Sequence, residues 1–436
     1  MIEIPALMGR FTCIDDSDLV GMKLLGVRTV LTIFLLITPL VLGTDLSRQI
    51  TKEDIEYFPQ DGWRTSTPEQ QGMDSITLQD MVDYYVENNI SIDGIIVVKN
   101  GYVVLEEYPS SYGRNSTHQL FSCTKSVTST LFGIAVDNEY IRSVNERVLS
   151  YFENRSIQNV DNRKESITLK HLLTMSAGFE WTEQYRETGS DFDQMTRTVD
   201  WVQYVLDRPM VSEPGVEYTY NTGASHLLSA ILQQSTGMSC LEFAITNLFN
   251  PLGITDYYWA TDPMGISVGG SLLRLRPIDM AKIGYLYLRN GTWAERQIIS
   301  PEWVNQASTS HINTTIVDGP GPVEKVGYGY QWWVRPELGA FSAFGWGGQS
   351  INIIPEHDVV VVVTAASSDP STTSNWILKE WILPALGVNV NSSQRLDPLI
   401  PYIIGGSAAL FLFYLIVALP IPIMLTMVSE EPEDDP

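Results

Sequence analysis

Residues 93–109, DGIIVVKNGYVVLEEYP, set two β-branched runs on either side of Asn100-Gly101. That dipeptide fits the two positive-φ positions of a tight hairpin turn, so strands open the domain. From Ser122 to about Asn138 the pattern changes: in SCTKSVTSTLFGIAVDN, Val127, Leu131, Ile134 and Ala135 recur at helical spacing. A helix starting near Ser122 therefore follows the hairpin. From about 140 to 265 the pattern is mostly helical and loop-rich, with helices expected at 168–175, 196–207, 224–236 and 238–248. Strands return as GYGYQWWV (327–334), GAFSAFGWGG (339–348), QSINIIP (349–355) and DVVVVVTAA (358–366), and the apolar helix NWILKEWILPAL (375–386) is placed to cover the sheet. The predicted fold class is α+β: an antiparallel sheet flanked by helices and split in sequence by an inserted, mainly helical subdomain.

Two apolar stretches lie outside this region. Tyr402 to Leu425 is mostly apolar, and no charged residue occurs between Asp397 and Glu430. About 20 such residues span a bilayer core, so a C-terminal transmembrane helix is expected over 401–427. The tail SEEPEDDP that follows argues against a lipid-anchor signal, whose apolar stretch should end the chain. Near the N-terminus, Lys23 and Arg28 precede TVLTIFLLITPLVLG (29–43), the layout of a signal sequence or signal anchor over 22–43. Residues 1–21 form an N-terminal extension, with Met22 a second candidate start. The basic flank holds the N-terminus inside and sends the intervening chain across the membrane. Asn-x-Ser/Thr triplets at Asn89, Asn115, Asn154, Asn290, Asn313 and Asn391 all fall between the two apolar stretches, the pattern of an extracytoplasmic, glycosylated domain. The domain boundaries expected are 65–387 for the folded domain, with its helical subdomain at about 140–265, 388–400 for a linker and 428–436 for the acidic tail.

Composition narrows the chemistry. The 436 residues carry 51 acidic against 27 basic side chains, a formal charge of −24, with no Lys/Arg cluster to neutralise a run of phosphates. Nucleic acid is not an expected partner. Cys13, Cys123 and Cys240 lack metal-ligand spacing, and the histidines at 118, 171, 226, 311 and 357 form no zinc-type pairs, so neither a metal nor a cofactor is implied.

Ser122 and Lys125 stand one helical turn apart. A helix start offers free N–H groups and a positive dipole end to a developing oxyanion, and a lysine whose pKa is lowered by burial can act as a base. On these residues alone, a capping serine and a surface lysine fit the pattern better. The surrounding motifs reverse that balance. HQLFSCTKSVTSTLFGIAVDNEYI, LLTMSAGFEW (172–181), PGVEYTYNTGASHLLSAILQQSTGMS (214–239), NLFNPLGI (247–254), GGSLLRLRPIDMAKIGYLYLRNG (269–291), GYGYQWW and GWGGQSINIIP occur in this order. Together they resemble the serine β-lactamase and penicillin-binding-protein-like hydrolases, especially the class C-like branch, over roughly residues 65–387.

The resemblance implies an antiparallel sheet with a helical subdomain, Ser122 as the acylated nucleophile and Lys125 as its proton partner. It also implies Tyr220 as the tyrosine of the family's Tyr-x-Asn motif, shuttling protons to the leaving group and from water. Tyr218 is the lesser candidate, because choosing it breaks the alignment on both sides. The chain departs from the motif at Thr222, where the asparagine should stand, while Asn221 comes one residue early. The third motif, Lys-Thr-Gly or His-x-Gly in the family, falls on Trp346-Gly347-Gly348. An indole offers no charge for a substrate carboxylate but can flank an apolar or cationic group. The backbone N–H groups of Ser122 and Gln349 are implied as the oxyanion hole.

The expected activity is hydrolysis of an amide or ester in a small molecule or peptide by a membrane-tethered enzyme, with weak β-lactamase activity at most. The competing expectation is a catalytically inactive, membrane-anchored binding protein that keeps the fold. Other residues are expected to be structural: Cys123 and Cys240 buried, Trp332 and Trp333 packed on the two faces of one strand, Asp191 and Asp193 in a solvated loop, and His226 on a helix surface.

Overall fold

Asn100 and Gly101 both adopt left-handed φ, 52° and 76°, and the tight turn joins Ile92–Lys99 to Tyr102–Glu107 as an antiparallel pair. The computed structural model describes residues 57–59, 62–183, 188–316, 324–367, 369 and 372–389. The apolar stretches expected at 22–43 and 401–427, the extension before them, most of the 388–400 linker and the acidic tail lie outside the described residues. No helix among the described residues is long and apolar enough to cross a membrane.

Eight strands form an antiparallel sheet in the order Tyr102–Glu107, Ile92–Lys99, Val359–Ala365, Gln349–Ile354, Ala340–Gly345, Trp333–Arg335, Glu324–Tyr328 and Ile312–Ile316. The strand Val359–Ala365 is buried along its whole length. This accounts for its unbroken valine run, because successive side chains point to opposite faces and both faces are covered. Val360 and Val362 join the larger core, which the sheet shares with the central helices. Val359, Val361 and Val363 join a second core, formed with Ser75–Glu87 and the C-terminal helical stretch. That stretch runs Ser374–Trp376, Ile377–Ile382 and Leu383–Ala385, with a π-turn in its middle, and covers the sheet as expected.

The helix after the hairpin spans Cys123–Asp137, and every residue from Cys123 to Ala135 is buried. A helix buried on all sides sits in the interior of its domain. In the helical region, Leu169–Leu173, Thr222–Thr236 and Cys240–Ala244, the last continued by a π-turn over Ile245–Phe249, match expectation to within a turn. The helix expected at 196–207 is instead two short ones, Asp191–Thr196 and Trp201–Leu206. The Asp200 carboxylate accepts from the Gln203 N–H and starts a new helix where the periodicity continues unbroken.

Three structural expectations are corrected. His226 is fully buried and pairs with buried Asp262 at 3.0 Å rather than lying on a helix surface. Asp191 is buried, accepts from Thr182 and Tyr204, and pairs with Arg208 at 3.1 Å. It ties the Thr182 loop to the helix that follows; Asp193 is half-buried in the same helix and pairs with Arg197 at 2.9 Å, so neither aspartate lies in a solvated loop. Trp332 lies in the bend before its strand rather than within it: Gln331 turns the chain with φ 63° and the strand begins at Trp333.

Candidate active site

The site is built where the chain enters the buried helix. Leu120 donates to the Leu273 carbonyl and the Cys123 N–H returns to Leu120, so the turn is clamped on both sides. Within it Phe121 has φ 46°, a conformation that costs a non-glycine residue about 1–3 kcal/mol and persists only when its surroundings impose it. Ser122 follows at the N-terminal edge of Cys123–Asp137, and its side chain makes no cap hydrogen bond. Among the described residues its N–H has no acceptor. A serine that does not cap its own helix leaves hydroxyl and N–H available to something outside the chain.

Lys125, one turn on, is buried. Its Nζ donates to Ser122 Oγ at 3.1 Å, Thr222 Oγ1 at 2.9 Å and the Gly270 carbonyl at 2.9 Å. Burial pulls the ammonium down to about 8, against the opposing pull of the Glu183 carboxylate. Gly270 allows this approach: a Cβ there would stand 2.6 Å from Thr222 Cγ2 and 3.3 Å from Lys125 Nζ.

Tyr220 lies on the other side of Ser122. Its ring stacks on Trp333 at 5.9 Å and 22°, and the Lys125 Nζ sits 4.8 Å from its centroid. Burial raises the phenol well above the ordinary tyrosine range, while a side-chain hydrogen bond with Ser122 opposes the shift. Tyr218 instead packs edge-on against Tyr328 and tilted against Trp333, with its hydroxyl buried and unpartnered. Of the two tyrosines, only Tyr220 therefore reaches Ser122 and Lys125. Asn221 caps the next helix, its Oδ1 accepting from the Ala224 N–H at 2.8 Å. It is occupied with the backbone, whereas Thr222, at the motif's asparagine position, contacts Lys125.

The third expected element closes the site from the sheet. Gly345 and Gln349 pair across a hairpin whose loop is Trp346-Gly347-Gly348, with φ 82° and 92° at the two glycines. Gln349 is buried, and its side chain holds the turn, donating to the Trp346 carbonyl at 3.2 Å and the Ala365 carbonyl at 2.5 Å. The Gln349 carbonyl accepts from Cys123 Sγ at 3.5 Å, so this strand end lies against the start of the Ser122 helix. Trp346 is 43 % exposed and packs on Phe121 at 5.3 Å. Cavities of about 190 and 240 Å³ flank the turn, one bordered by Phe121, His118 and Arg274 and the other by Phe344, Asp369 and Thr372. A larger cavity of about 550 Å³, at Asn250, Trp293 and Arg296, is lined by none of these groups.

Lys125, Ser122, Tyr220 and the Trp346 turn, scattered in sequence, thus meet at one place. This arrangement can pass a proton from a serine hydroxyl to a buried amine, with a phenol at hand and an unpaired N–H beside the attacking oxygen. No group of three or more His, Cys, Asp or Glu side chains among the described residues is placed to hold a metal ion. Cys123 and Cys240 are buried thiols, the latter pushed up to about 12 by burial, which leaves them inert. Sequence reasoning missed Glu183, whose carboxylate accepts from the Thr222 hydroxyl, from the Thr222 N–H at 2.9 Å and from Trp181 Nε1 at 2.6 Å. Its only signal was indirect: a threonine where the motif has an asparagine.

The family model described as Beta-lactamase matches residues 78–379. The chain is similar to the 6-aminohexanoate-dimer hydrolase of Paenarthrobacter ureafaciens, at 22% identity over 319 residues, 70% of this chain and 79% of that protein. Among solved structures it resembles EstCE1, a hydrolase with promiscuous acyltransferase activity, with a TM-score of 0.60 at 15% identity over 72% of this chain and 98% of that one. It also resembles the octameric penicillin-binding protein homologue from Pyrococcus abyssi, with a TM-score of 0.54 at 21% identity over 72% and 78% of the two chains. At these identities the solved structures speak for the fold alone.

Proposed function

The chain belongs to the beta-lactamase family of serine hydrolases, and from that premise we propose that it cleaves an amide or ester through an acyl-enzyme on Ser122. The observation that carries this reading is the buried Lys125 Nζ, 3.1 Å from a Ser122 hydroxyl that caps nothing. Burial separates the two proton carriers: it weakens the lysine's hold on its proton and strengthens the tyrosine's. Neutral Lys125 accepts the Ser122 proton as Oγ bonds to the carbonyl carbon. The Ser122 and Gln349 N–H groups receive the oxyanion, each such donor being worth about 3–4 kcal/mol in the transition state. Tyr220 gives its proton to the departing nitrogen or oxygen as that bond breaks, and Lys125 restores it. Water then enters by the reverse route and releases the acid.

Trp346 supports a substrate whose flanking group is apolar or cationic rather than a free carboxylate. The relative named for 6-aminohexanoate dimer supports general amide chemistry over β-lactam specialisation. An inactive binding protein would have no use for a buried lysine held on a non-capping serine. The substitution Ser122→Ala in the full-length chain separates the two: it should abolish hydrolysis of an activated ester such as p-nitrophenyl butyrate. Undiminished turnover would overturn the assignment.

The same reading places the domain outside the cytoplasm, tethered by the apolar stretch at 401–427 and delivered by the one at 22–43. The sequons support it: Asn89, Asn115, Asn154, Asn290 and Asn313 are all exposed.

A further inference from the structure

We propose that Glu183, acting through Thr222, is the positioning residue that aims the lone pair of Lys125 at Ser122. This inference rests on the reading of Ser122 as the acylated nucleophile. It follows from counting donors and acceptors along one chain of contacts. An ammonium has three protons, and Lys125 Nζ has three acceptors, Ser122 Oγ, Thr222 Oγ1 and the Gly270 carbonyl. To take the serine proton the lysine must be neutral, with two N–H bonds and one lone pair. Which of the three directions carries the lone pair then decides whether it can work as a base.

Gly270 offers a carbonyl, which only accepts, so one N–H is fixed there. Thr222 offers a hydroxyl, which could either accept from the lysine or donate to it. Glu183 removes that choice. Its Oε2 accepts from two donor-only groups, the Thr222 N–H and the Trp181 indole N–H, at 2.9 and 2.6 Å. Its Oε1 faces the Thr222 hydroxyl, which therefore donates outward to the carboxylate and presents only lone pairs to Lys125. With both N–H bonds committed to Gly270 and Thr222, the lysine lone pair is left facing Ser122. Both carboxylate oxygens are engaged by the protein, so Glu183 is built to orient the lysine rather than to bind a cationic substrate.

Glutamine at 183 would invert this order. Its oxygen would be needed by the Trp181 and Thr222 N–H donors, leaving its NH₂ against the Thr222 hydroxyl. That hydroxyl would then turn its proton toward Lys125 and compete with Ser122 for the lone pair. Removing the carboxylate also removes an attraction that favours the charged lysine.

The test is the pH profile of kcat/KM for p-nitrophenyl butyrate on the full-length chain, for wild type, Glu183→Gln, Thr222→Val and Thr222→Ser, with folding checked by thermal melts. In Glu183→Gln the acid limb should move to lower pH by about one unit, and the plateau should fall about tenfold or more. Thr222→Val should lose a similar factor in plateau, and Thr222→Ser should restore it to within a few-fold. A residue that only held the loop would lower the plateau and leave the limb in place. An acid limb that stays put or moves to higher pH in Glu183→Gln overturns the proposal, as does a Thr222→Val enzyme as fast as Thr222→Ser. The parent reading fails differently: Ser122→Ala would then hydrolyse the ester as wild type does.

Discussion

In the proposed mechanism, burial is what separates Lys125 from Tyr220 as proton carriers. The lysine is held near 8 and the phenol far above its ordinary range, so the working form proposed has neutral Lys125 and protonated Tyr220. The activity therefore rises with pH as Lys125 loses its proton, giving an acid limb of kcat/KM near pH 8. Lys125→Met should remove the limb along with about 10²–10⁴ of the rate, and a flat profile from pH 6 to 9 in the wild type would contradict the assignment. Trp346 should set substrate choice: penicillins should turn over far more slowly than uncharged esters. Efficient penicillin hydrolysis, with selectivity for the free carboxylate, would overturn that role. That Ser122, Lys125 and Tyr220 lie together was legible because ordered motifs surround each of them. Glu183 was not, because a carboxylate in a loop carries no periodicity. Its importance lies in a contact with Thr222, 39 residues away in sequence.

The elements meet at this site through close backbone approach. The loop at Gly270 lies so near the Thr222 helix start that a methyl group would overlap Thr222 Cγ2 at 2.6 Å. Gly270→Ala should therefore push Thr222 off Lys125 and lower kcat by about tenfold or more, while the melting temperature falls by only a few degrees. Unchanged kinetics would show that the lysine does not depend on this packing. Periodicity predicted the hairpin at Asn100-Gly101 and the buried helix from Cys123, since turn chemistry and helical spacing are local. It did not predict the break between Thr196 and Trp201, where the Asp200 cap interrupts an apolar pattern that continues through it. His226 and Asp191 were misread for a related reason. Each is a polar side chain whose burial depends on a partner, Asp262 or Arg208, that sequence spacing does not reveal.

At the scale of the whole molecule, one sheet separates two cores. The valines of Val359–Ala365 alternate between them, and the helix carrying Ser122 lies on one side against the same sheet whose strand end carries Trp346. The α+β class was readable from the order of strand and helix patterns, but the pairing of the first strand with the last was not, because it joins residues at opposite ends of the domain. The proposed tether is a prediction at this scale. When the full chain is expressed in a eukaryotic host, it should stay in the membrane fraction after alkaline extraction, and glycosidase should increase its gel mobility. Release by alkali with no mobility change would contradict the topology. The central claim is that Ser122 forms the acyl-enzyme, and its most direct test is the intact mass of the full-length chain after reaction with a fluorophosphonate. The wild type should gain one adduct, faster at pH 9 than at pH 7, and Ser122→Ala none; equal labelling of both proteins would overturn the acyl-enzyme assignment.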